Sequence, residues 1–267
     1  MKKNRLLTLI DKQLVGANSL RLVFAGDDLA DFPEDQASGY VKLMFAAEPG
    51  GEIDPSQLEN AAYFKALRKR TFTIRQYDAE QKRLTVDGAC HSFGEPDQGP
   101  ANQWLQQAEL GDQIWVAGPG EKKLINTPAD WYFFAGDMTA LPAIAVNLEQ
   151  LPQEACGYAV IEVLDFADIA PLARPDNIAI HWVVNGAPKS ANTLLSDAVR
   201  ELPWLEGTPA VWVAGEFEMM RNLRAYFKKE QQVPKSLVYA SSYWKIGESD
   251  EGNKVAKRLD EKAEEQS

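Results

Sequence analysis

Arg70-Thr71-Phe72-Thr73-Ile74-Arg75 sets two guanidinium groups, an aromatic ring and two hydroxyls along six residues rich in strand formers. As a strand it sends Arg70, Phe72 and Ile74 to one face and Thr71, Thr73 and Arg75 to the other. Two chemistries then flank one backbone. The combination suits a flat, phosphate-bearing cofactor of the flavin dinucleotide kind, with a guanidinium for the pyrophosphate, a ring to stack on the heterocycle and a small donor beside it. The same six residues also read as a charged, half-buried strand, and a short motif decides nothing until its surroundings agree.

The surroundings are β-rich on both sides. Between Leu6 and Trp115 the runs LLTLI, SLRLVF, YVKLMF, RTFTIRQY, RLTVDGAC and DQIWVAG alternate with turn signals, which predicts about six strands in an antiparallel barrel or sandwich. Residues 48–55 (EPGGEIDP) read as a loop, and residues 57–67 as a short helix or ordered excursion. After Pro128 the rhythm becomes apolar strand followed by helix: WYFFAG then MTALPAIAVNLEQL, YAVIEVL then DFADIAPL, IAIHWVV then SANTLLSDAVREL, and AVWVAG then EFEMMRNLRAYFKKE. Such alternation predicts a parallel sheet wrapped by helices. The expected fold is therefore α+β in two domains, an antiparallel β-barrel over 1–125 and an α/β domain over 126–267. The last residues, 251–267, read as an exposed helix or a frayed end.

Composition narrows the function classes. With 25% charged and 45% apolar residues, and no run near the roughly 20 apolar residues of a membrane span, the chain reads as soluble. Asp11 and Lys12 cut the first apolar stretch below the ~7–15 residues of a signal segment, so a cytoplasmic location is expected. A net charge of −11 disfavours nucleic acid and anionic membrane as partners. Cys90 and Cys156 stand far apart, outside any CxxC spacing, so no disulfide framework, zinc site or iron–sulfur cluster is encoded. Redox work would fall to a bound cofactor.

Downstream of RTFTIR, Asp87 and His91 lead into Gly99-Pro100-Ala101-Asn102 and an amphipathic stretch. A loop entering a helix there offers free backbone amides to a pyrophosphate; the structural alternative is a hairpin and a helix capped by Asn102. His91 either bonds a flavin edge or is a satisfied polar residue at a strand end. Farther on, AGDMTALPA follows a strand and precedes a helix, where Gly136 permits close approach of a dinucleotide. It is not GxGxxG, and Asp137 brings negative charge. Gly215 and Glu216 repeat the theme, with Glu216 meeting a ribose or capping the next helix.

Taken together, YVKLMF, RTFTIR, VDGACH, GPANQW, GDQIWVAGPG, FAGDMTALPAIAVNLEQLP, VWVAGEFEMMRNLR and SSYWKIGE resemble, in order and spacing, the siderophore-interacting protein family. These are flavin-dependent ferric-siderophore reductases of the ferredoxin-reductase-like superfamily. The resemblance implies FAD held by Arg70, Thr71, Phe72, Thr73, Arg75, Asp87, His91, Gly99, Ala101, Asn102 and Trp244. Arg70 would face the phosphate, Phe72 would stack on the isoalloxazine and Thr73 would bond near N5. Phe72 stands where the family usually has Tyr, and Asn102 where Ser is common.

Gly136, Asp137, Thr139, Ala140, Gly215 and Glu216 would meet a nicotinamide nucleotide. Lys42, Lys254, Lys257 and Arg258 would attract an anionic ferric siderophore, with iron as substrate and no protein metal site. The Arg common after the GP turn is replaced by Gly120 and Glu121, with Lys122 and Lys123 following. Electrons would come from NADH, NADPH or ferredoxin. A general NAD(P)H-flavin or ferredoxin reductase, and a siderophore-binding protein without flavin, are the competing readings.

Overall fold

The computed structural model describes residues 3–48, 50–90, 99–125, 127–188 and 190–265, in two compact units, Met1–Lys123 and Leu124–Ser267. In the first, β1 (Lys3–Gly16), β2 (Ser19–Ala25), β3 (Tyr40–Phe45), β4 (Arg68–Asp78), β5 (Arg83–Ala89) and β6 (Gln113–Gly120) close into a barrel in the order β1-β2-β5-β4-β3-β6. Neighbouring strands run antiparallel throughout. Alternation in runs such as SLRLVF drives this, sending Leu20, Leu22 and Phe24 inward to meet Val41, Leu43 and Val86. Closure also leaves no sheet edge exposed.

Between β3 and β4 the chain makes a 3₁₀ turn at Pro55–Gln57, capped by Asp54, and then helix α1 (Ala61–Ala66), restarted by the Asn60 side chain accepting from Ala62 and Tyr63 amides. Two caps six residues apart, Asp54 and Asn60, thus shorten the helix expected over 57–67. This excursion packs on the outside of the barrel through Met44, Leu58, Leu67 and Ala117. Helix α2 (Gly99–Gln107) closes the barrel end where β4 and β6 begin, burying Leu105 in the core and stacking Trp104 6.1 Å from Phe24.

The second unit holds β7 (Trp131–Gly136), β8 (Gly157–Val163), β9 (Ile178–Val184), β10 (Pro209–Glu216) and β11 (Val238–Trp244), all parallel, in the order β11-β10-β7-β8-β9. Helices α3 (Leu141–Gln150), α4 (Leu194–Glu201), α5 (Phe217–Ala225) and α6 (Asp250–Glu265) accompany it, α5 running on through a π turn at Tyr226–Glu230. An antiparallel barrel followed by a parallel-sheet domain is the expected architecture.

One local expectation fails. After β8, DFADIAPL forms only a 3₁₀ turn, Phe166–Asp168, because Asp165 and Asp168 close a capping box around one turn and Pro171 follows. Strand β11, spelled VYASSYW, was not anticipated. Of its two readings the tail takes the helix, anchored where Arg224 of α5 makes a two-pronged bond to Asp260 at 2.7 and 2.9 Å, Lys228 pairs with Glu264, and Ser242 meets Asn253 at 2.7 Å. That bond to Arg224 holds the Asp260 carboxyl below its usual range. No helix among the described residues is long and apolar enough to cross a membrane.

Candidate functional site

In the barrel unit, Arg70 lies opposite Leu43, and Phe72 opposite Val41, at the end closed by α2. The Arg70 guanidinium donates from Nη1 to the Lys69 carbonyl at 2.9 Å, and its Nη2 lies 4.0 Å from where a Cβ on residue 99 would sit. Gly99 has φ +68°, a left-handed value that glycine adopts without strain. The first amides of a helix have no partner within it, and Pro100 carries none, so Gly99, Ala101 and Asn102 supply the N–H groups at this end. A fixed guanidinium beside a helix N-terminus is the donor set that a pyrophosphate requires, and the residues present fit that group.

Other residues of the motif are placed differently from one another. Phe72 packs partly buried on the barrel core, its ring edge 2.9 Å from the Cβ position of Gly88. No larger residue would fit at 88 while that ring stays. Thr71 is exposed and Thr73 only 9% exposed. The strict alternation expected for RTFTIR stops at Ile74, since the β4–β5 register slips between Ile74 and Gln76 and makes Arg75 the extra residue of a bulge. Asn102 lies inside α2 and is buried, so it is not the helix cap it was expected to be; the helix already starts at Gly99. Both oxygens of Asp87 are taken by Arg21 at 2.7 Å, leaving Asp87 a cross-strand structural partner. His91 falls outside the described residues.

In the second unit the strand order reverses between β7 and β10, and ligands of open α/β sheets bind outside the carboxyl ends at such a switch. A cavity of about 370 Å³ lies there, lined by Asp137, Glu162, Thr193, Glu216, Met219 and Trp244 among others. Asp137 is its hub. Oδ1 accepts from the Thr139 amide and hydroxyl at 2.9 and 2.5 Å, and Oδ2 accepts from the Glu216 amide and from Trp244 Nε1, both at 2.8 Å. Glu216 caps α5, taking the Glu218 and Met219 amides at 2.6 and 3.0 Å. Gly136 and Gly215 are demanded by the chain itself: added Cβ atoms would stand 2.5 Å from the Ala214 carbonyl and from Asp137 respectively. Ala140 is fully buried at the start of α3.

Sequence reasoning missed Glu162 in this cavity. Burial, with Asp137 and Glu216 nearby, pushes its carboxyl up to about 7 against the opposing bond from Asn185 at 3.1 Å. The signal was present as one charge inside the apolar strand YAVIEVL.

A second cavity, about 280 Å³, lies on the outer face of the barrel and contains Lys42. The other expected substrate cations belong to α6 of the second unit. Lys254 pairs with Asp250 and Glu251 of its own helix, Lys257 Nζ donates to Ser241 Oγ at 2.9 Å, and Arg258 is exposed on α6.

A closed antiparallel barrel, followed by a parallel sheet with a crevice at its switch point, is the ferredoxin-reductase-like fold. Ferredoxin-NADP+ reductase of Plasmodium falciparum shares the fold alone, with a TM-score of 0.62 at 14% identity over 90% of this chain and 97% of that one. The chain belongs to the siderophore-interacting protein family: residues 8–123 match its FAD-binding domain and residues 129–247 the siderophore-interacting protein domain.

Ferric vibriobactin reductase ViuB of Vibrio cholerae is 34% identical over 92% of this chain and 91% of its own length. The NADPH-dependent ferric-chelate reductase of Escherichia coli is 26% identical over 90% and 92%. The siderophore-interacting protein SipS of Aeromonas hydrophila superposes with a TM-score of 0.82 at 30% identity, over 98% of this chain and 99% of that one.

Proposed function

We propose that this chain is an FAD-dependent ferric-siderophore reductase that releases iron as Fe(II) in the cytoplasm, with electrons from NAD(P)H or ferredoxin. The observation that carries the reading is Arg70 set at the N-terminus of α2 within a barrel that matches an FAD-binding domain. FAD held there would supply the redox chemistry, linking a two-electron donor to the one-electron reduction of Fe(III). Reduction frees the metal because hard oxygen ligands hold Fe(III) far better than Fe(II).

The chain's own residues bind and orient. Arg70 and the amides of Gly99, Ala101 and Asn102 hold the pyrophosphate, while Phe72 offers its ring, and Thr71 and Thr73 their hydroxyls, to the isoalloxazine. Arg75 adds a cation on the same strand, and Lys42 and Arg258 attract an anionic siderophore despite the negative chain. At the sheet switch, Gly136, Thr139 and Gly215 face a nicotinamide, and Trp244 closes the cavity as an aromatic wall. Asp137 and Glu216 serve there by fixing the turns, since their oxygens already bond protein donors. The ferric reductases ViuB and the E. coli enzyme support the reaction, and the second supports NADPH. Both cysteines are free thiols, as suits a reducing compartment.

Photoreduced, FAD-loaded protein mixed anaerobically with a ferric siderophore tests the proposal. Reoxidation of the flavin with matching ferrous iron is expected; a flavin that stays reduced overturns it.

A further inference from the structure

Glu162 is the one charged residue of β8 and closes the second strand of the β7-α3-β8 unit, with Ile161 before it in register with Gly136. Val160, on the same face of the strand, is buried with Leu195 and Val199 of α4, so the Glu162 side chain leaves β8 on the α4 side and reaches the cavity at the sheet switch. Asn185, buried just past β9, fixes it there. Its Nδ2 donates to Glu162 Oε1 at 3.1 Å, while its Oδ1 accepts from the Ala187 amide at 3.0 Å and so sets which way the amide group points. Glu162 Oε2 has no bonded partner among the described residues. The wall that the β9–α4 loop supplies is, among those residues, uncharged and rich in hydroxyls and amides, with Ser190, Asn192, Thr193 and Ser196. The other charged groups of the cavity are engaged: Asp137 and Glu216 accept from protein amides, Glu218 and Lys245 face one another at 3.8 Å, and Lys245 also stands 4.4 Å over the Phe217 ring.

We propose that Glu162 recognises the adenosine ribose of the electron donor, accepting its 2′- and 3′-hydroxyls, and so selects NADH over NADPH. The inference rests on the reading of this cavity as the donor site. Position carries it first. In open α/β sheets that bind dinucleotides, the pyrophosphate sits at the first strand-to-helix turn, and an acidic residue roughly 20 residues on bonds the ribose 2′-hydroxyl. β7 with its Gly136 turn supplies the first place and Glu162, at the end of the next strand, the second, without the GxGxxG pattern that usually announces them. Geometry carries it next: one oxygen anchored by Asn185 and the other left for a ligand hold a carboxylate ready for a diol. Charge decides between the two donors. A 2′-phosphate replaces a donor hydroxyl with a charge of about −2, and beside Glu162, Asp137 and Glu216 it meets like charge, with no unengaged cation among the described lining residues. This choice differs from that of the NADPH-dependent E. coli relative, which is 26% identical. Burial and the two acidic neighbours bring the Glu162 carboxyl to about 7, so the repulsion grows as pH rises from 6 to 8.

The test titrates FAD-loaded protein calorimetrically with the redox-inert tetrahydro analogues of NADH and NADPH at pH 6 and pH 8. Wild type is expected to bind the NADH analogue about tenfold more tightly at pH 8, with the ratio shrinking at pH 6. Glu162→Gln keeps the acceptor for Asn185 and removes the charge. It is expected to bring the two analogues within about twofold of each other at pH 8, chiefly by tightening the NADPH analogue. The phosphate of that analogue itself titrates near about pH 6, a change that wild type and Glu162→Gln share and that their comparison removes. Equal affinities in wild type, a preference for the NADPH analogue, or a ratio at pH 8 that Glu162→Gln leaves unchanged overturns the inference while the cavity stays a donor site. Binding of neither analogue overturns the inference and the donor-site reading together, and iron reduction by photoreduced flavin then judges the reductase separately.

Discussion

The Arg70 guanidinium stands 4.0 Å from the Cβ position of Gly99, the residue that opens helix α2 with φ +68°. A side chain at 99 would strain the backbone at that φ, and the guanidinium and the helix end beside it are what the proposal takes as one anion-binding corner. Arg70→Ala is expected to lower FAD affinity by about 10–100-fold, the worth of a lost charge-assisted bond. Arg70→Lys, a point charge without the planar fork, should fall between. Flavin fluorescence titration checks this, and an unchanged dissociation constant would count against the corner.

Asp137 accepts four hydrogen bonds from three partners, Thr139, Glu216 and Trp244. Asp137→Ala strands several buried donors and should destabilise the protein by about 3 kcal/mol, seen as a lower urea midpoint. If Asp137 served a nucleotide instead, the midpoint would hold and only the donor KM would rise.

Much of this was legible in the chain. Period-two patterning exposed the barrel strands, and strand-then-helix alternation exposed the parallel sheet, because both reflect which face is buried. Local partners were legible, as with Glu216, whose capping of the next helix was one of its two readings; distant ones were not. Asp87 carried a residue type suited to a ligand, yet Arg21 claims it, and nothing local in sequence shows a partner 66 residues away. The seat of the excursion was hidden for the same reason: residues 57–67 read as a short helix or ordered excursion, while the packing of Leu58 and Leu67 on Met44 is long-range. Strand β11 escaped because its serines dilute the apolar signal.

Glu162 gives the C-terminal unit a pH dependence. Its carboxyl is raised from 4.5 to about 7 in the folded protein, so between those values the folded state holds a proton that the unfolded state has released. Stability contributed by this group therefore falls as pH rises from 4.5 towards 7, by on the order of 3 kcal/mol, and is level above. Glu162→Gln should abolish that slope and be more stable than wild type at pH 8. Urea melts from pH 5 to 8 report it; parallel curves for the two proteins would refute it.

Asp260 acts with the opposite sign. Arg224 holds its carboxyl low, so the contribution is present above the ordinary carboxylate range and is lost as pH falls through the depressed folded value. Asp260→Ala leaves Arg224, only 14% exposed, without its two-pronged partner, and should cost about 3 kcal/mol and release α6 to proteolysis. Undiminished protection of α6 from trypsin would show that Arg224 is not what anchors it.

The central claim is that this chain uses FAD to reduce siderophore-bound iron. Its most direct test is anaerobic turnover of the FAD-loaded protein with a ferric siderophore and a ferrous-specific chelator, supplied in turn with NADH, NADPH or reduced ferredoxin. At least one donor should yield Fe(II) in proportion to electrons consumed, two per NAD(P)H, with the rate falling in Arg70→Ala as flavin is lost. Flavin reduction by a donor with no ferrous iron from any siderophore would contradict the account.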